Sequence, residues 1–269
     1  MHHRINKITL GKTFQIFRLR QKVVRLLLPT SVALIGSMGV SGQQFPFDHV
    51  HFGVPDVEQA MVWYQNVFEG MPVEGEPKNR LFFGTVRVAF LKISPQTASD
   101  HSVIDHIGFA VNDIGKTVER VVKAGGKNEG PSNHATDGIM IRDPWGTKLE
   151  LRPGESLIVD HIEVRSTDPS SEAKWFQQIF GGKSINLYMS PCLQYDKVVL
   201  VYTNGESVRS EGTRINHIGW RTDDIYQTVL RLRADSVKFL SDIEPRGRIT
   251  RIVFVESPSG VKVEILQRE

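Results

Sequence analysis

Four histidines stand in one register along the chain at nearly equal spacing, as Asp48-His49-Val50, Asp105-His106-Ile107, Asp160-His161-Ile162 and Asn216-His217-Ile218. Spacing of that regularity implies four copies of one supersecondary unit. Imidazole is the commonest metal ligand near physiological pH, and a repeated strand register aims several rings at a common axis. Two glutamates repeat as well. Asp143-Pro144-Trp145-Gly146-Thr147-Lys148-Leu149-Glu150 is mirrored by Ser257-Pro258-Ser259-Gly260-Val261-Lys262-Val263-Glu264. One such glutamate reads as an exposed charge; two at matched positions, each in a half with two matched histidines, read as ligands. Two imidazoles and one carboxylate suit Fe²⁺, Mn²⁺, Zn²⁺, Ni²⁺ or Co²⁺ and leave positions for water or substrate oxygens. One or two divalent ions are expected. Histidines that occur singly in strands are usually structural, which is the reading for His101 and His51. His51 shares a face with His49 by alternation, so a supporting role beside the ligands is its alternative reading.

The elements that must hold these side chains follow from periodicity. Asp48 to Val54 reads as a strand, Asp56 as a helix cap, and Ala60, Met61, Trp63, Tyr64, Val67 and Phe68 as the apolar side of a helix ending near Gly70. Trp63-Tyr64-Gln65-Asn66-Val67-Phe68 matches Trp175-Phe176-Gln177-Gln178-Ile179-Phe180 at the same offset that relates His49 to His161. Trp63 and Trp175 therefore belong to helix packing. Further helices are expected over about 114–124 and 225–234, and Gly- and Pro-bearing turns divide the rest into strands. Each unit reads as a strand, a helix and three strands, in an A-B-A′-B′ order. Alternation puts Leu149 and Leu151 on one face of their strand, and Lys148, Glu150 and Arg152 on the other.

The composition, 40% hydrophobic and 23% charged over 269 residues, is that of a folded globular chain. Cys192 is the single cysteine, so neither an intrachain disulfide nor a cysteine-rich metal site can form. Seven of the 33 basic residues lie before Asp48, in a stretch without Asp or Glu, and the remainder carries 26 basic against 30 acidic residues. Nucleic acid is thereby an unfavoured partner. The basic leader, an apolar stretch from Leu26 to Val40 and the small residues Val40 and Gly42 give the expectation of a signal peptide over 1–42, cleaved after Gly42, with an organelle transit peptide or a retained anchor as the alternatives. Export to the periplasm or outside the cell, with no membrane span after cleavage, is the expectation.

Together the βαβββ repeat, the Asp-His-Ile or Asp-His-Val strand openings and the Asp-Pro-x-Gly-x-x-x-Glu ending resemble the vicinal oxygen chelate superfamily, the glyoxalase, bleomycin resistance protein and extradiol dioxygenase fold. The resemblance covers nearly all of 46–268. It implies an α+β fold of four βαβββ modules arranged as two tandem paired-module half-barrels, with one domain over 43–154 and a second over 155–269. Carried over by position, the ligands are His49, His106 and Glu150 in the first pair and His161, His217 and Glu264 in the second. Glyoxalase I-like and epimerase-like sites add a fourth ligand from the last strand of the first module of a pair; the matching positions are read as Phe90 and Leu200, which cannot bind an ion.

Three-ligand sites resemble extradiol dioxygenases, so a metal-dependent dioxygenase-like enzyme acting on a small oxygen-rich substrate is slightly favoured. A glyoxalase I- or epimerase-like lyase or isomerase is the first alternative, and a non-catalytic binding protein of the resistance type the second. The dioxygenase pattern also calls for a Tyr three residues before the turn, where Met140 and Phe254 stand, and for an upstream His, for which His134 is the candidate catalytic residue. Glu163, Arg165, Arg221 and Arg152 share the ligand face by parity and are candidates to line a cleft. A monomer or a homodimer is expected.

Overall fold

The computed structural model describes residues 45–72, 78–94, 99–132, 137–187, 189–247 and 250–268. The leader 1–42 and His134 lie outside these residues. Module 1 contains β1 (Phe47–Val54), α1 (Val57–Phe68), β2 (Met71–Pro72), β3 (Arg80–Phe83) and β4 (Val86–Lys92). Module 2 contains β5 (Ile104–Val111), α2 (Ile114–Lys123), β6 (Lys127–Pro131), β7 (Ile139–Arg142) and β8 (Lys148–Pro153). Module 3 contains β9 (Ile158–Ser166), α3 (Pro169–Phe180), β10 (Lys183–Leu187), β11 (Ser190–Tyr195) and β12 (Val198–Asn204). Module 4 contains β13 (Ile215–Arg221), α4 (Ile225–Ala234), β14 (Lys238–Phe239), β15 (Glu244–Arg246), β16 (Thr250–Glu256) and β17 (Lys262–Arg268).

Each helix opens on an aspartate that no hydrophobic register requires. Asp56, Asp113, Asp168 and Asp224 accept hydrogen bonds from backbone N–H groups in the first turn, satisfying donors the helix cannot pair itself. The apolar stripe of α1, from Ala60 to Phe68, is buried. Trp63 Nε1 donates to the Ala124 carbonyl beyond α2 at 3.0 Å, the Tyr64 hydroxyl donates to Asp143 at 2.9 Å, and Phe68 stacks on Phe109 of β5 at 4.8 Å. Module 1 thus packs its helix against module 2. The second half repeats the arrangement: Phe180 of α3 stacks on Trp220 of β13 at 4.5 Å, and Glu172 accepts from Ser259 N.

The sheets are joined differently. One runs β14-β16-β17-β13-β1-β4-β3-β2, with β15 on β16, and so combines modules 4 and 1. The other runs β10-β11-β12-β9-β5-β8-β7-β6 and combines modules 3 and 2. At the two seams β1 lies antiparallel to β13 and β5 antiparallel to β9. The expected division at 154/155 is therefore corrected for the sheets: the first strand of every module pairs with a module of the other half. The reason is local. With both faces of β5 fully buried, its edge must be covered by a strand of matching pattern, and β9 arrives directly after β8 to do so.

Candidate active site

The six expected ligands gather, but in other partnerships. His106, Glu150 and His161 form one group; His49, His217 and Glu264, with His51 added, form the other. The grouping read from the resemblance, His49 with His106 and Glu150 and His161 with His217 and Glu264, is corrected, because pairing across the seams decides which rings meet. In the first sheet, Gly219 of β13 lies between His49 on β1 and Glu264 on β17. In the second, Gly108 of β5 lies between His161 on β9 and Glu150 on β8. His217 and His106 stand two residues earlier on those same central strands, on the same face.

The glycines make the convergence possible. A Cβ at Gly219 would lie 2.1 Å from His49 Cε1, and one at Gly108 would lie 2.0 Å from His161 Cε1. Each imidazole therefore lies across bare backbone toward its glutamate. The His-Ile-Gly sequences at 106–108 and 217–219 are the signal for this, and the sequence reading passed over them.

Each ring is oriented by the residue before it. His49, His106 and His161 place Nδ1 against the carboxylates of Asp48, Asp105 and Asp160 at 2.9, 2.8 and 2.9 Å, and His217 places Nδ1 2.7 Å from the Asn216 side-chain oxygen. Nδ1–H donates in each pair, which leaves Nε2 to the interior of the cluster, the second-sphere arrangement of metal-binding histidines. His217 Nε2 and His49 Nε2 lie 3.0 and 3.6 Å from Glu264 Oε2. In the other cluster His161 and His106 Nε2 lie 2.9 and 3.3 Å from Glu150 Oε2 and 3.2 Å from each other.

Such packing of lone pairs around a carboxylate requires a cation or protons. Burial, the largest influence on His49, favours its neutral form, yet Glu264 and Asp48 outweigh it and raise the imidazole to about 9. His106 is likewise raised to about 9 by Asp105 and Glu150 against its burial. His217 is lowered, burial outweighing Glu264. Burial pushes Glu264 upward, but the histidines hold it well below the usual carboxylate range. Among the buried atoms without a hydrogen bond are His49 Nε2 and His51 Nδ1. An unsatisfied buried polar atom costs roughly 1–3 kcal/mol, a penalty that a bound cation removes. The donor set, nitrogen-rich with one carboxylate, fits a borderline divalent ion.

The cluster on the first sheet opens on a cavity of about 680 Å³, walled by His49, His51, His217, Glu264, Phe254 and a rim of basic side chains. The basic lining includes Arg80 and Arg246, which the sequence reading did not single out, and Lys262, which strand alternation puts on the face of Glu264. Strand parity was the available signal, since Arg87, Ala89 and Leu91 of β4 face the cavity while Val88 and Phe90 are buried in the core. The fourth-ligand position read at Phe90 is corrected for that reason: the cavity-facing neighbour is Ala89. Leu200 is core for the same reason. Two of the arginines expected beside the ligands pair with the carboxylates that orient His106 and His161, and the third stands elsewhere. Arg165 binds Asp105 and Arg152 approaches Asp160 at 3.8 Å, while Arg221 borders a separate surface pocket with Phe47 and Tyr195. Glu163 does lie near a ligand, 4.0 Å from His106 Nδ1, and accepts from Thr203.

Comparison with known proteins agrees with this architecture. Models described as the Glyoxalase/Bleomycin resistance protein/Dioxygenase superfamily match residues 47–151 and 105–254, and the chain belongs to that superfamily. A lactoylglutathione lyase of Haemophilus influenzae is 28% identical over 123 residues, 40% of this chain and 91% of that protein. A probable chloroplastic lactoylglutathione lyase of Arabidopsis thaliana is 29% identical over 177 residues, 58% of this chain and about half of that protein, 51%. Crystalline glyoxalase I from Zea mays superposes with a TM-score of 0.64 at 20% identity, covering 83% of this chain and 92% of that one, a likeness of fold.

Proposed function

We propose that the chain is a metal-dependent lyase or isomerase of the lactoylglutathione lyase kind, working in the cavity between modules 1 and 4 on a small anionic substrate. The observation that carries this reading is that His49, His217 and Glu264, from three different strands, converge on one wall of a cavity large enough for a small molecule. The residues would hold a divalent ion, which as a Lewis acid polarises the vicinal oxygens of a substrate. Glu264 is the carboxylate among the described wall residues, placed to take a proton moved between adjacent carbons. Arg246, among the basic residues that line the cavity, favours an anionic group there. Phe254 lies opposite Glu264 in the strand register, with its ring 5.2 Å from that of His217, and shields that side from water.

The same position argues against the dioxygenase lean, which gains no support from the sequence relatives. Phe254 and Met140 each pair directly with a cluster glutamate and offer no hydroxyl to manage a proton or bound oxygen. The test is to load the metal-stripped chain separately with Ni²⁺, Zn²⁺, Mn²⁺, Co²⁺ and Fe²⁺ and to assay formation of lactoylglutathione beside ring cleavage of a catechol. Thioester formation that is lost in Glu264→Gln is expected. Catechol cleavage alone would contradict the reading, as would turnover indifferent to metal.

A further inference from the structure

The cluster on the first sheet contains one donor more than its counterpart. His51 follows His49 by two residues on β1 and faces the same way, and in the sheet it is paired with Ala89 on one side and His217 on the other. Its ring lies 4.1 Å from that of His217, tilted by 38°, and 4.7 Å from that of His49. Ala89, paired with His51 in the register, lines the same cavity. The His51 Nδ1 is buried and has no hydrogen-bond partner.

We propose that His51 is a fourth protein ligand, giving a three-imidazole, one-carboxylate centre with His49, His217 and Glu264. This rests on the metal reading above and specifies its coordination. One donor atom from each of the four residues lies within 4.8 Å of the other three. Ligand atoms about 2.0–2.2 Å from a common ion are separated from one another by about 3–4.4 Å, so small ring rotations close the set. The matched position in the second sheet is turned away from its cluster. Glu163, which follows His161 as His51 follows His49, approaches the Nδ1 side of His106, binds Thr203 and groups with Asp105 and His106, so that the His106, Glu150 and His161 set stays at three donors. The two centres are therefore unlike: four protein ligands leave about two of six positions open at the cavity, enough for two adjacent substrate oxygens.

The experiment uses full-length chain carrying Glu150→Gln and His161→Gln, which silences the smaller cluster, stripped of metal and titrated with Co²⁺ alone. Paramagnetically shifted, exchangeable imidazole N–H resonances count the ligating rings, and competition with a chelator gives the affinity. Three such resonances are expected, falling to two in His51→Gln with Co²⁺ held about 100-fold more weakly, at or beyond the upper end of what loss of an outer-sphere partner costs. Two resonances unchanged by His51→Gln would overturn the fourth ligand while leaving the three-residue site standing. Co²⁺ binding unaffected by His49→Ala and Glu264→Gln would remove the site itself. Should His51→Gln fail to fold, the count in the chain retaining His51 decides alone.

Discussion

At the scale of single residues the site depends on what is missing as much as on what is present. Gly219 has no Cβ, and the His49 ring occupies that space. Gly219→Ala is expected to push the ring from Glu264, to cost about 1–3 kcal/mol by overpacking, and to weaken metal at the first cluster while sparing the second; calorimetric melting and metal titration read the two effects. Protons compete for the same nitrogen. His49 is raised from 6.5 to about 9 in the metal-free chain, so its contribution to stability is full below pH 6.5 and is lost as pH rises through about 9. An ion bound by His49 would displace that proton. Its apparent affinity is expected to rise about tenfold per pH unit over that window and level off above it, as titration calorimetry at a series of pH values would show. The histidines and glutamates themselves were legible from their repeat. Their support was not, because Gly219 and Gly108 act by lacking atoms, and a lone sequence gives no reason to weigh an absent side chain.

At the scale of elements, β1 is the organising strand. Its Asp48 accepts a hydrogen bond from His49 Nδ1, one from Arg87 on β4 and two from Arg268 on β17, tying modules 1 and 4 together under the site. Burial raises that carboxyl, but His49 and Arg268 hold it well below its usual range. Its contribution is therefore present above the ordinary Asp pKa of 3.8 and fades as pH falls below it. Asp48→Asn leaves two arginines facing a neutral group, and a loss of about 3–5 kcal/mol in chemical denaturation is expected, together with weaker metal binding. Helix bounds followed closely from apolar periodicity and aspartate caps, with α1 and α4 near their expected limits. Strand partners did not. Periodicity fixes the face a side chain takes, whereas the neighbouring strand is chosen by long-range pairing that leaves no local signature.

At the scale of the whole molecule, the duplication and the sheets follow different partitions. Helices pack module 1 on module 2 and module 3 on module 4, while the sheets join 1 with 4 and 2 with 3. Each histidine–glutamate cluster consequently draws on both halves of the sequence. A double-mutant cycle on metal affinity reads this directly. His49→Ala and Glu264→Gln are expected to couple strongly although they stand in the first and last strands of the chain, and His49→Ala and Glu150→Gln to add independently. Among the described residues no helix is long and apolar enough to cross a membrane. Export remains a proposal from the leader, and a mature chain beginning at Gln43 in a mass spectrum of the native protein is its expected sign.

The central claim, that His49, His217 and Glu264 share one ion across the seam between β1, β13 and β17, is most directly tested by anomalous diffraction from crystals soaked in Co²⁺ or Zn²⁺. The account predicts a peak about 2.0–2.2 Å from one atom of each of these residues. A peak that joins His49 to His106 and Glu150, or density that touches none of the three, would contradict it.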